Sequence, residues 1–209
     1  MGHLTSKLDW GDIDLNTETG QVFFQQKWFY NWITVAGVTP WTRAEKLHFH
    51  NTLDQQIWKI WSNKVKIRVT GGCALAKRFP HGLPINFDVR WVLKPGHWTV
   101  NARKLLPGGQ YRSNVVYGAR TINLDSEDLK AHSVQNSAGV KRNNFLTVPH
   151  EFGHTVDTDV NPDEYNAGSP NFGDTISIMN IGNEVRSRHI AQILTELGKL
   201  VPGCNFQFI

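Results

Sequence analysis

The sequence predicts an α+β domain: a twisted sheet, antiparallel at its edges, with helices packed on one side. Three observations predict it. Residues 64–70 and 85–91 alternate apolar and polar side chains, the period of a half-buried strand. Thr42-x-x-Glu45 after Pro40 is a capping box, and the segment behind it repeats apolar residues near the helical period. The elements come as a helix, a run of strands, a helix, a long loop and a last helix, an order that segregates helices from strands.

The elements follow in chain order. Residues 1–40 read as an aromatic-rich N-terminal extension packed on the core, with Phe23, Phe24, Trp28, Phe29, Tyr30 and Trp32 as covering side chains. Within it, residues 12–20 suit a strand entering a turn. Their acidic spacing lacks the glycine and bidentate glutamate of a calcium loop, with Thr17 and Phe23 at those positions. The helix from Thr42 carries Leu47, Phe49, Leu53, Ile57, Ile60 and Trp61, and its His48 and His50 read as ordinary polar contacts. Residues 84–104 read as a hairpin turning at Lys94-Pro95-Gly96-His97. Residues 115–124 read as a strand whose end, around Ile122, lies at a sheet edge where an extended substrate would pair. Residues 126–144 are polar and read as loop. A helix begins at Thr147 or Val148, with Pro149 tolerated in its first turn, and ends near Asp157. Residues 158–176 form a long loop. Ile190, Ile193, Leu194 and Leu197 mark the final helix. With no repeat and no linker, residues 1–209 read as one domain.

Composition narrows the function classes. Apolar content of 40% supplies a normal core, and eight tryptophans read mainly as part of it. Net charge is +4 without a Lys/Arg block, which argues against nucleic acid and is compatible with an anionic polymer. No run of eighteen apolar residues exists, so no membrane-spanning helix is expected. The N-terminus has no apolar signal-peptide region, and its Met-Gly-His fits a tag remnant on a domain cut from a longer protein. Cys73 and Cys204 are either one long-range disulfide or two buried thiols. His81, His97 and His132 lack supporting spacing and read as surface residues.

The chemistry concentrates in His150-Glu151-Phe152-Gly153-His154. Residues four apart share one helix face, so the two imidazoles can grip one Zn2+ while Glu151 works on the water as general base. A hydrolytic zinc site takes a third protein ligand. Extension to H-E-x-x-H-x-x-G-x-x-H fails at Asp157 and Val160. Asn183-Glu184-Val185-Arg186-Ser187 matches the alternative N-E-x-x-S pattern, so Glu184 is the expected third ligand. Asp157 comes next, one turn beyond His154, and Asp159, Glu164 and His189 follow. Candidates to stabilise the oxyanion are His189 and Tyr165 first, then Arg186 and Arg188. Met179 in Ser177-Ile-Met-Asn180 is either a hydrophobic floor beneath the histidines or core filler.

This joint pattern resembles the zincin metallopeptidases, with a gluzincin-like third ligand. More narrowly, residues 149–154, Asp163-Glu-Tyr165, residues 177–182 and residues 184–189 look like the metallopeptidase extensions at the C-terminus of type VI secretion spike-tip proteins. The resemblance covers about residues 145–190 and lacks a spike domain. It implies a zincin-like fold and an antibacterial toxin acting in the periplasm of a rival cell. It also implies a protein or peptidoglycan-peptide substrate, a secretion spike for delivery and an immunity protein. Delivery by injection would explain the lack of a signal peptide. The competing expectation is a non-catalytic, zinc-stabilised binding or adaptor domain.

Overall fold

A computed structural model describes residues 2–94, 96–156 and 162–209. In chain order the strands are β1 (His3–Lys7), β2 (Asp12–Asn16), β3 (Val22–Thr34), β4 (Lys66–Gly71), β5 (Leu83–Val92), β6 (Trp98–Lys104), β7 (Asn114–Val116), β8 (Thr121–Asp125), β9 (His132–Gln135), β10 (Lys141–Phe145) and β11 (Cys204–Phe208). The helices are α1 (Arg43–Trp61), α2 (Ala74–Arg78), α3 (Thr147–Gly153) and α4 (Ala191–Leu200). The domain is therefore α+β. Its main sheet is mixed and runs β11-β4-β5-β3-β6-β8-β7, with β1 and β2 paired off the start of β3.

The N-terminal segment is not an extension. β3 is the central strand, parallel to β5 through Val22–Phe29 and to β6 through Trp28–Thr34. Its inward residues Val22, Phe24, Gln26, Trp28 and Tyr30 are buried, and the intervening residues are not. The turn before it is held by Asn16, whose Oδ1 accepts the amides of Glu18 and Thr19, and by Gly20 at φ 75°.

The expected hairpin over residues 84–104 does not form. β5 and β6 run in the same direction on opposite sides of β3, so the chain crosses β3 between them. His97 fastens the crossing: its amide donates to the Lys27 carbonyl at 2.7 Å, and its Nδ1 accepts the Lys27 amide at 2.9 Å. Its side chain is only 11% exposed, so His97 is not a surface residue. Gly96 is required there, since a Cβ would stand 2.7 Å from the Lys27 carbonyl oxygen. Pro95 lies outside the described residues.

The α1 reading holds. Thr42 Oγ1 accepts the Glu45 amide and Glu45 Oε2 accepts the Thr42 amide, closing the box. Phe49, Leu53, Ile57 and Trp61 are buried on one stripe, while Leu47 faces out. Trp61, Phe87 and Phe152 meet edge to face at 5.3–6.1 Å, joining α1, β5 and α3 over the apolar sheet face. Four of the tryptophans, Trp10, Trp28, Trp61 and Trp98, are 2% exposed or less.

Three further segments depart from expectation. Residues 115–124 divide into β7 and β8 at a 3-10 turn, Tyr117–Ala119, with Arg120 left-handed at φ 49°. The pair is antiparallel, so β7 is the sheet edge and Ile122 on β8 is wholly buried. The polar stretch 126–144 holds a second sheet, the antiparallel hairpin β9–β10, turned by Asn136 Oδ1 and by Gly139 at φ 82°. The C-terminal β11 pairs with β4, and a disulfide from Cys73 to Cys204 ties its start to α2, with Cα atoms 5.4 Å apart. No helix of the described residues is long and apolar enough to cross a membrane.

Candidate metal centre

α3 is short and ends at Gly153, with His154 as its helical C-cap (φ −65°, ψ −13°) and residues 154–156 in a turn and bend, so it stops short of the expected end near Asp157. Three contacts fix the helix. Trp61 Nε1 donates to the Pro149 carbonyl at 3.0 Å. Gln26, buried on β3, donates to the Thr155 carbonyl at 3.0 Å just past His154. Gly153 lies against Met179, close enough that a Cβ would run into the sulfur and reach 3.1 Å from Trp61. Met179 is fully buried within the main hydrophobic core, so it fills the core as well as packing against Gly153 of the histidine helix.

His150, Glu151 and His154 are 4%, 6% and 8% exposed. The two imidazoles stand 4.9 Å apart and perpendicular. His150 Nδ1 is 2.7 Å from the Ile178 carbonyl, which can only accept, so Nδ1 carries a proton and Nε2 faces the cluster. His150 Nε2 and His154 Nε2 approach Asp163 Oδ1 at 3.2 and 3.3 Å. One ligand atom from each of His150, His154 and Asp163 can be chosen so that the three lie within 4.8 Å of one another. Burial resists charge on His150, yet Asp163, Glu151 and the Ile178 carbonyl raise its pKa. Burial likewise resists charge on Asp163, but His150, His154 and Tyr165 hold its carboxyl well below the usual range. Tyr165 donates its hydroxyl to Asp163 Oδ2 at 2.6 Å, and burial followed by that carboxylate keeps the phenol protonated.

Glu184 does not join this group. It is bonded through its backbone to Ile176 and Ile178 beside the Ser177 bridge, and its carboxylate is 59% exposed, 2.9 Å from Arg186 Nη1. The N-E-x-x-S match therefore supplies a turn and an ion pair, and Asp163 stands where Glu184 was expected. Asp157 and Asp159 lie outside the described residues. Glu164 is buried and held by Arg188 at 2.6 and 2.8 Å. His189 is 1% exposed; its Nδ1 accepts the Arg186 amide, and its Nε2 faces Glu164 and Ser177 at 3.4 Å. It does not line the cleft at Glu151, so it braces the wall behind and is not an oxyanion donor. Arg186 and Arg188 are paired with Asp174. Of the four oxyanion candidates, Tyr165 alone lies at the centre.

Two cavities flank Glu151. One of about 330 Å³ lies under the β9–β10 hairpin and reaches Asp128, Phe145 and Asn180. The other, about 200 Å³, lies between His154, Asp163 and edge strand β7 at Asn114 and Val115. Arg112, Ser113, His150, Glu151 and Tyr165 line both. Glu151 Oε2 is buried without a hydrogen-bond partner among the described residues, and burial pushes its carboxyl up against the opposing pull of His150 and His154. Arg112, Asp128, Asn180 and Asp163 were not singled out as site residues from sequence. For Asp163 a signal existed in Asp163-Glu-Tyr165 and for Asn180 in residues 177–182; for Arg112 and Asp128 the chain order holds none. Comparison of the chain with protein-family models, with curated proteins and with solved structures gives no match.

Proposed function

We propose that the chain is a zinc-dependent metallopeptidase of zincin-like fold, with His150, His154 and Asp163 as metal ligands and Glu151 as general base. One observation carries this reading: two imidazole nitrogens and a carboxylate oxygen converge within 4.8 Å, beside a buried glutamate oxygen that has no partner among the described residues. Two histidines and one carboxylate are the donor set of a three-ligand hydrolytic zinc site, which leaves a position open. A zinc ion held there would lower the pKa of a water to about 7 and polarise the scissile carbonyl.

The remaining work falls to this chain's side chains. Glu151 Oε2 takes a proton from the attacking water and returns it to the leaving amine, a role suited to a carboxyl whose pKa is raised by burial. Ile178 sets the tautomer of His150, and Tyr165 fixes which oxygen of Asp163 faces the histidines. The exposed Arg112 at the cleft mouth adds positive potential toward Glu151. The backbone of β7 supplies an edge on which an extended peptide can pair.

The sequence resemblance extends the proposal to an antibacterial effector, delivered through a secretion spike, that cuts protein or peptidoglycan peptides in a rival's periplasm and is countered by an immunity protein. A disulfide suits such an oxidising compartment. The competing adaptor reading has no use for Glu151, since structural zinc closes its shell with four protein ligands. The test is Glu151→Gln, assayed for metal content, thermal stability and peptide cleavage. Retained zinc and fold with cleavage reduced by a factor of about 100 or more supports the enzyme. Equal cleavage in both proteins contradicts it.

A further inference from the structure

The larger cavity beside Glu151 gathers hydrogen-bond acceptors. Asp128 is 8% exposed, and both of its hydrogen bonds, from Ser113 Oγ at 2.6 Å and from the Asp125 amide at 2.7 Å, land on Oδ2. Oδ1 takes none among the described residues. Asn180 lines the same cavity and is fully buried. Its Nδ2 donates to the carbonyls of Glu164 and Phe172, which fixes the amide orientation and leaves Oδ1 buried without a partner among the described residues. Glu151 Oε2 is a third such acceptor. Behind Asp128 lies Asp125, 2% exposed, and no cationic side chain of the described residues pairs with either. The nearby Lys130 is engaged with Glu127, and Arg112, the cation that lines this cavity, is exposed at its mouth.

Buried carboxylates are ordinarily paired. Burial, then the charge of Asp125, pushes the Asp128 carboxyl up to about 7, the behaviour of an acid that lacks a counter-cation. The cavity also offers apolar walls at Val134, Phe145 and Ile181. An apolar sleeve with several acceptors matches a methylene chain ending in an ammonium, which brings three donors and no acceptor. We propose that Asp128 and Asn180 form a recognition subsite for a lysine-type primary ammonium, so that the substrate is a peptide carrying such a side chain next to the bond presented to Glu151. The proposal rests on the peptidase reading for its place beside the scissile bond.

The test compares two peptides that differ only in lysine or norleucine, bound to zinc-loaded Glu151→Gln protein and followed by fluorescence anisotropy. The lysine peptide is expected to bind at least about tenfold more tightly, and Asp128→Asn in the same background to erase the difference. Equal affinity for the two peptides overturns the subsite without any second substitution, and so does a preference that survives Asp128→Asn. Cleavage of either peptide by the unsubstituted protein reports separately on the peptidase reading. A lysine preference without any cleavage would leave the subsite standing and remove the enzyme.

Discussion

The side-chain amide of Gln26 donates a hydrogen bond of 3.0 Å to the backbone carbonyl of Thr155, the residue after His154. The central strand of the sheet thus holds the chain directly behind the second histidine. Gln26 also accepts from Trp28 Nε1 at 2.9 Å, and it has no exposure. Gln26→Leu would orphan a buried carbonyl and a buried indole N–H, each worth about 1–3 kcal/mol. A loss of about 2–4 kcal/mol in urea unfolding is expected. Zinc affinity should fall by about tenfold, because the turn carrying His154 loses its support.

Gly153 and Met179 are coupled by contact. Gly153→Ala overpacks the floor and should destabilise by about 1–3 kcal/mol while displacing His150 and His154. Met179→Ala should cost about 2–4 kcal/mol by leaving a cavity. In the double variant the new methyl occupies part of that cavity, so the combined loss should be smaller than the sum by about 1 kcal/mol. A double-mutant cycle by chemical denaturation checks this; simple additivity would show that the contact has no energetic weight.

Asp163 and Glu184 separate in a zinc titration. Asp163→Ala should weaken zinc binding by more than about 100-fold, since it removes a ligand that completes the site. Glu184→Gln should leave affinity within about threefold, because its carboxylate is exposed and answers to Arg186. The reverse ranking would restore the ligand expected from the N-E-x-x-S pattern.

Asp54 on α1 gives a pH signature away from the metal centre. Burial raises its carboxyl to about 6, and Asp88 adds to the rise against the hydrogen bond from the Val89 amide. The folded state therefore holds a proton that the unfolded chain has released by about pH 4. Stability from this group is full at low pH and is lost as pH rises from about 4 through about 6. Asp54→Asn keeps an acceptor for Val89 and should remove that fall. At pH 8 the variant should be more stable by about 1 kcal/mol after solvent screening, with no gain at pH 4. Thermal melts across that range measure it.

What was legible in the sequence is what depends on neighbours along the chain. The capping box and the stripe Phe49, Leu53, Ile57 and Trp61 are local, and α1 appears where they put it. The β9–β10 hairpin was hidden because most of its residues are half-buried or exposed on both faces, so no alternation marks it. The crossing at His97 was hidden because its partner, Lys27, lies seventy positions away. Edge strand β7 has three residues, too few for a period. In the centre, His150 and His154 follow from helical spacing. Asp163 does not, because it lies nine positions past His154, beyond the reach of the helical repeat. Glu184 carried a better motif but sits in a backbone bridge that turns its carboxylate to Arg186.

The most direct test of the account is a crystal of the zinc-loaded protein measured on both sides of the zinc absorption edge. The account predicts one anomalous peak, bound by His150 Nε2, His154 Nε2 and an oxygen of Asp163, with Glu151 unbound beside it. A peak held by Glu184, a fourth protein ligand closing the site, or no peak between the two histidines would contradict it.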